Sequence, residues 1–163
     1  MALETLLILY YQAKSGVLFG DIGILLTSFM AGLALGALVF GAWSGSKPAR
    51  KIRPQIWGAG ILSGFAVLGM VAAKEMKSAG LATIAGTSMM LFATGFLVAG
   101  VFAYSGLQSG NDQGAAAGPL YAADLIGGCI ASLAVGLVMA PLVGLAMSAT
   151  WTTILSLTAI LFL

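Results

Sequence analysis

One short stretch decides the fold of this chain, Phe29-Met30-Ala31-Gly32-Leu33-Ala34-Leu35-Gly36. It lies at the centre of residues 22–43, a run that contains no charged residue. A helix of this length, rising about 1.5 Å per residue, would cross the roughly 30 Å hydrocarbon core of a bilayer. Gly32 and Gly36 share one face of that helix, where another helix can approach closely. The stretch predicts a membrane helix that packs against protein.

The composition extends this prediction to the whole chain. Charged residues make up 7% of the 163 residues, hydrophobic residues make up 60%, and the mean hydropathy is +1.07. Since a soluble domain averages about 25% charged residues, this inventory cannot cover a water-facing surface. The net charge of +2 gives no indication of a nucleic-acid partner, and none is predicted. The fold class is therefore all-α and integral to a membrane.

Uncharged runs predict a single helical membrane domain, residues 1–163, with about five to six transmembrane helices. The predicted spans cover residues 22–43, 56–73, 81–107, 120–143 and 146–163, with a partial span at residues 2–13. Asp21 is expected to cap the first complete span. Pro141 should kink or end its helix, because proline lacks the N–H that an α-helix uses. The single cysteine, Cys129, lies inside an apolar run, which excludes a disulfide within the chain.

The first segment is too short for a complete span. Residues 3–13 reach about 17 Å as a helix, roughly half of a bilayer. Glu4 stands where a secretory signal would carry basic residues, so a signal peptide is not predicted. This helix is either half-buried in protein or the end of a span whose earlier part belongs to a longer protein, and we expect the second.

The loop of residues 44–54 decides the predicted orientation. It carries four basic residues and no acidic one: Lys47, Arg50, Lys51 and Arg53. If all six segments cross, this loop shares a side with both termini, and three other lysines lie opposite. The density of positive charge in so short a loop favours the cytoplasm for that side.

Residues able to carry out chemistry are scarce. The chain has no histidine, and no two of its five acidic residues stand at metal-ligand spacing on one helix face. No glycine-rich nucleotide-binding loop follows a strand pattern. A self-contained enzyme is therefore not expected, and neither a cofactor nor a metal is predicted.

The candidate polar site consists of Glu4, Gln12, Tyr121 and Asp124. Asp124 follows Tyr121 by one turn and is either an intramembrane proton or cation site or an acid favoured by the dipole of a helix's first turn. Glu4 and Gln12 lie about two turns apart and so point the same way. They line either a polar contact between helices or part of a substrate path.

Helix packing is predicted at five glycines: Gly32, Gly36, Gly41, Gly60 and Gly64. Small residues four positions apart let helix backbones approach each other in a membrane. The spacing predicts that another helix comes close, and it leaves open which helix that is.

Two longer segments carry a further pattern. The first joins Leu3-Glu4-Thr5-Leu6-Leu7-Ile8-Leu9-Tyr10-Tyr11-Gln12 to Gly16-Val17-Leu18-Phe19 and to the stretch from Phe29 to Gly36. The second joins Ala117-Gly118-Pro119-Leu120-Tyr121-Ala122-Ala123-Asp124-Leu125-Ile126-Gly127-Gly128 to Pro141-Leu142-Val143-Gly144-Leu145. In this order they resemble the membrane region of bacterial spermidine-synthase-like proteins, in which a transporter-like multi-helix region is fused to an aminopropyltransferase-like domain.

This resemblance covers residues 3–145 and implies a half-transporter-like bundle in the bacterial inner membrane. It would make Glu4 and Gln12 the polar residues of the first helix, and Tyr121 and Asp124 the aromatic–acid pair that opens a later helix. The 163 residues hold no counterpart of that family's Rossmann-type catalytic domain, so polyamine synthesis is not expected of them.

Two functions are consistent with these residues. The first is a non-enzymatic membrane subunit or scaffold, whose partners are the lipid bilayer and either other membrane protein subunits or a second copy of the chain. The second is a half-size transporter for polyamine or another small cation, in which Glu4 and Asp124 attract the substrate. The glycine faces and the scarcity of polar core residues favour the first.

Overall fold

All regular elements of the chain are helices in a computed structural model that describes residues 2–16, 19–44, 54–78, 83–108 and 113–161. The chain order is α1 (Ala2–Ser15), α2 (Phe19–Ser44), α3 (Pro54–Ser78), α4 (Ile84–Gln108) and α5 (Gln113–Leu133). A π-helical segment (Ala134–Met139) and the short helix α6 (Ala140–Val143) continue α5, and α7 (Leu145–Leu161) follows. The predicted all-α class is confirmed for these ranges, which contain no strand.

Four helices are long and apolar enough to cross a membrane. Their apolar windows are Gly20–Ala42, Gly58–Met76, Ile84–Ser105 and Tyr121–Val143. The expected number of about five to six spans is not confirmed, because α1 has 14 residues and α7 has 17 in the described part of the chain. At about 1.5 Å per residue they extend about 21 Å and 26 Å, less than the hydrocarbon core. Residues 45–53 of the predicted cytoplasmic loop lie outside the described residues.

Helices α2 and α4 pack backbone to backbone. A Cβ added to Gly32 would overlap the carbonyl group of Phe92. One added to Gly36 would lie 2.7 Å from the Ala99 Cβ and 2.8 Å from the Phe96 carbonyl oxygen. Because residue numbers rise together along both helices, α2 and α4 run parallel.

The approach is reciprocal on α4. A Cβ added to Gly95 would overlap the Phe29 carbonyl oxygen and lie 3.0 Å from the Leu33 nitrogen. Further along, the rings of Phe40 and Phe96 have centroids 5.0 Å apart and are tilted by 48°. The helix that Gly32 and Gly36 meet is thus α4 of the same chain.

The other predicted packing glycines differ from this pair. An added Cβ at Gly64 would lie 3.0 Å from Leu97 Cδ2 of α4, whereas those at Gly41 and Gly60 would have no atom within 4 Å among the described residues. Gly69, which the sequence did not single out, packs against the Thr153 side chain of α7. Close approach therefore depends on the neighbouring helix as well as on glycine spacing.

The short helix α1 lies inside the bundle. Its buried residues are Leu3, Leu6, Leu7, Tyr10 and Tyr11. They form one apolar core with residues of α2, α3, α4, the π segment and α7. The structure thus buries part of α1 in protein, as one of the two interpretations of this short segment expects.

The end of α5 follows from Pro141. The Ala140 N–H donates to the Val135 carbonyl five residues earlier, the spacing of a π-helix. In a regular α-helix the Pro141 ring would clash with the Leu137 carbonyl. The wider π-helical turn, Ala134–Met139, lies shortly before Pro141 in the chain. Gly144, with φ of 85°, then ends α6 in a conformation that favours glycine. The predicted kink or end near Pro141 is confirmed.

We expect Gly36→Ala to lower the thermal stability of the chain in detergent. The new methyl group would overlap Ala99 and the Phe96 backbone, and overpacking of this kind costs about 1–3 kcal/mol. Gly23→Ala is the matched control, since Gly23 lies on the same helix and an added Cβ there would meet no atom within 4 Å among the described residues. Thermal melts followed by circular dichroism should show a lower Tm for Gly36→Ala alone. Equal Tm values for the two variants would contradict the α2–α4 contact.

Candidate functional site

The predicted polar residues of α1 lie on the helix at the centre of the fold. Glu4 stands in the first turn, and its Oε2 atom is buried with no hydrogen-bond partner among the described residues. Burial raises the pKa of the Glu4 carboxyl, because removal from water disfavours the charged form. Gln12 is half-buried near the other end of α1. Helix α1 is not one of the four membrane-length helices.

The predicted aromatic–acid pair lies on α5, with Tyr121 exposed and Asp124 half-buried. Helix α5 begins at Gln113, so Asp124 lies about three turns inside it. The interpretation of Asp124 as a first-turn acid is wrong, since the favourable effect of the dipole falls off within that turn. Asp124 is instead an interior residue of the helix, near one end of the apolar window Tyr121–Val143.

The acidic residues of α1 and α5 lie at different levels of the bundle. Thr5, next to Glu4, contacts α5 through its Oγ1, which lies 3.1 Å from Ser132 Oγ. Asp124 precedes Ser132 by about two turns, or about 12 Å along the helix axis. Glu4 and Asp124 therefore do not form a paired acidic site.

A polar contact that the sequence did not indicate joins α1 to α2. The Tyr11 hydroxyl donates a hydrogen bond of 2.9 Å to Asp21 Oδ2. The expectation that Asp21 caps a helix starting after it is wrong, because α2 begins at Phe19 and Asp21 lies within its first turn. The sequence pattern that accompanies this contact is a tyrosine before and an acid after the turn at Gly16, where φ is 62°.

The hydrogen bond also fixes the protonation of Tyr11. The carboxylate of Asp21 accepts a hydrogen bond from the phenol only while the phenol keeps its proton, and this raises the pKa of Tyr11. Tyr11 therefore remains a neutral donor throughout the physiological pH range.

Hydroxyl groups elsewhere in the helices are mostly satisfied by their own backbone. Thr94 bonds to the Met90 carbonyl at 2.8 Å, and Ser148 bonds to the Gly144 carbonyl at 2.8 Å. The Tyr10 hydroxyl and Ser88 Oγ are buried with no partner in the described part of the chain. Over the same residues, no group of three or more His, Cys, Asp or Glu side chains could hold a metal ion.

Helix α5 is the least covered of the membrane-length helices. Only 6% of its window Tyr121–Val143 is buried, against 22% to 39% of the other three windows. Large apolar side chains are exposed along α5 and along the π segment and α6 that continue it: Leu125, Ile126, Ile130, Leu133, Leu137 and Leu142. Cys129 is exposed on the same helix. Most of the described side chains of α5 are therefore exposed to the surroundings of the chain.

We expect Tyr11→Phe to destabilise the chain, because it removes the hydroxyl that donates a hydrogen bond to the Asp21 carboxylate. Tyr10→Phe is the matched control, because it removes a hydroxyl with no partner among the described residues and should leave stability unchanged or raise it. Thermal unfolding in detergent measures both variants. Similar losses in the two variants would contradict a specific role for the Tyr11–Asp21 bond.

The same bond predicts a dependence on pH. Since the pKa of Tyr11 is raised above its ordinary value of 10.0, its stabilising effect is complete below about pH 10 and is lost as pH rises through the raised value. The difference in stability between the parent and Tyr11→Phe should therefore shrink in strongly alkaline buffer. A difference that stays constant across this range would contradict the assignment.

Comparison of the chain with known protein families, curated proteins and solved structures finds no match in any of the three. The resemblance of residues 3–145 to the membrane region of spermidine-synthase-like proteins therefore stays a prediction. Over the described residues, the structure shows only helices as regular elements, and four of them are long enough to span a membrane.

Proposed function

We propose that the chain is a non-enzymatic integral membrane subunit or scaffold, and that α5 is the helix that packs against its partner protein. The observation that carries this proposal is the exposure of α5, whose membrane-length window is 6% buried. A helix that is apolar on all sides is stable only beside lipid or other apolar helices. Because other helices of the chain cover α5 least, it has the most surface available to another membrane protein.

The side chains of α5 allow such a helix to come close. Ala123, Gly127 and Ala131 are spaced by four residues and so share one face. A Cβ added to Gly127 would meet no atom within 4 Å among the described residues. This face resembles in spacing the one that Gly32 and Gly36 present to α4. The partner is either another subunit or a second copy of the chain.

The proposed location is the bacterial inner membrane, with residues 44–54 on the cytoplasmic side. Four membrane-length helices support a multi-pass protein, and the basic residues of that loop support the orientation. Helices α1 and α7 would complete a half-transporter-like bundle of about five to six segments. Their association with the four longer helices supports this arrangement.

Cross-linking from Cys129 tests the role of α5. Cys129 is the only cysteine of the chain and is exposed on α5, so it accepts a photoactivatable maleimide without other substitutions. In native membranes the labelled protein should give an adduct of one defined mass with a partner or a second copy. Gly127→Leu should abolish this adduct and leave the Tm unchanged, since an added Cβ at Gly127 would meet no atom within 4 Å among the described residues.

The control places the probe on a different exposed helix. Leu38 of α2 is 69% exposed, and a cysteine at this position in a Cys129→Ser background should give lipid adducts alone. Identical protein adducts from both positions would show that α5 is not a specific contact. The absence of any protein adduct from Cys129 would remove the scaffold proposal.

A second candidate function, a half-size transporter for polyamine or another small cation, is favoured by one observation. Glu4 Oε2 is buried without a partner in the described part of the chain. Unpaired acidic groups in apolar surroundings are costly and frequently contact a ligand. In this proposal Glu4 receives the cation, and Asp124 attracts it from a different level of the bundle.

Uptake of labelled spermidine into vesicles holding the purified chain tests this alternative. Glu4→Gln and Asp124→Asn should each reduce the initial rate, because each removes a negative charge and retains the size of the side chain. Tyr10→Phe serves as a control that alters a neighbouring buried group. Uptake that neither acid variant reduces, or no uptake by the parent, would rule out the transporter.

A further inference from the structure

The C-terminal part of α3 and the middle of α7 border an open groove of about 370 Å³. Its lining residues are Met70, Ala73, Lys74, Thr150, Thr153, Ile154 and Leu157. The two helices approach each other beside it, where Gly69 packs against Thr153. The groove is therefore part of the α3–α7 contact and is held by two helices of the chain.

The groove joins a positive charge to an apolar interior. Lys74 lies near the end of the apolar window Gly58–Met76, and Met70 lies one turn further inside that window. Ile154 and Leu157 supply the apolar wall on α7. A phospholipid has a charged head group at the membrane boundary and apolar acyl chains inside the membrane. The groove has the same arrangement, with a positive charge at the boundary and an apolar wall further inside.

Lys74 is the group that would recognise the head group. The threonine hydroxyls of the groove already donate to their own helix, Thr150 to the Met147 carbonyl at 2.7 Å and Thr153 to the Ala149 carbonyl at 2.9 Å. The Lys74 side chain is exposed and makes no salt bridge with the described residues. Its ammonium group can therefore donate to a phosphate, and its positive charge selects an anionic lipid.

A second groove on α3 provides a comparison within the same chain. It has about 440 Å³ and lies between α3 and α4, lined by Val67, Leu68, Val71, Glu75, Gly86, Met89, Met90 and Ala93. Here the charged lining residue is the acid Glu75, and the described lining includes no lysine or arginine. Two apolar grooves of similar size on one helix thus differ in their charged lining residue, and of these two the α7 groove alone offers a cation to an anionic head group.

We infer that the α3–α7 groove binds an anionic phospholipid, with the phosphate at Lys74 and an acyl chain between Met70, Ile154 and Leu157. This site is independent of the partner surface proposed for α5. The site predicts that the chain binds anionic lipids in preference to the other lipids that surround it.

Trp151 reports on this groove, because it follows Thr150 on α7 and is 49% exposed. A variant with Trp43→Phe and Trp57→Phe keeps Trp151 as its only tryptophan. In vesicles of phosphatidylcholine with brominated phosphatidylglycerol, quenching should exceed that by brominated phosphatidylcholine at the same mole fraction. The expected preference in relative binding is about fivefold, the effect of one lysine near an anionic surface.

Lys74→Gln should abolish this preference, and Lys74→Arg should retain it. Lys14→Gln is the matched control, because it removes the same charge from the last turn of α1 and leaves the groove intact. Equal quenching of the parent by the two brominated lipids would overturn the site. Equal losses in Lys74→Gln and Lys14→Gln would also overturn it, since net charge would then account for the preference.

Discussion

The backbone contact between α2 and α4 is the interaction on which the rest of the fold depends. Gly32, Gly36 and Gly95 place the two helices where any added carbon would meet backbone or a neighbouring Cβ. Water exclusion does not drive helices together in lipid, so dispersion and weak Cα–H···O contacts at this short separation supply the attraction. Helices α1 and α3 pack against α4, and α7 packs mainly against α3. The bundle is thus assembled outward from one pair.

The position of α1 explains how a chain with so few polar residues connects its helices. Because α1 packs against several other helices, its polar side chains come within hydrogen-bonding distance of theirs. Tyr11 binds Asp21 of α2, and Thr5 contacts Ser132 of the otherwise exposed α5. A helix about two thirds as long as the hydrocarbon core is thick therefore links the glycine-packed pair to the most weakly attached element.

The predictable part of the fold follows from properties local to each segment. Uncharged runs predicted the four membrane-length helices. Glycine spacing predicted a close helix approach at Gly32 and Gly36, and Pro141 predicted the end of a helix. Glycine spacing could not identify α4 as the partner, because that depends on contacts between distant segments. It also missed Gly69, whose neighbour is a threonine of α7.

The candidate site was harder to predict for a related reason. The predicted span starts at residue 120, but the preceding residues include three alanines, which have the highest helix propensity, and α5 begins at Gln113. This early start moves Asp124 from a helix end to a helix interior. The bond between Tyr11 and Asp21 depends on how the chain turns at Gly16, which composition does not reveal.

The π-helical segment has a consequence for how this chain can change during evolution. A π-turn holds one residue more than the corresponding α-turn. Because the extra residue is held within the wider turn, the residues on either side of it keep nearly the phase of a regular helix. Deleting one residue within Ala134–Met139 would therefore convert the segment to α-helix and leave α7 on nearly the same side of α1. A deletion in the regular part of α5 would instead rotate everything after it by about 100°. The π-helical segment is therefore a position at which the chain can lose one residue without turning the helix that follows.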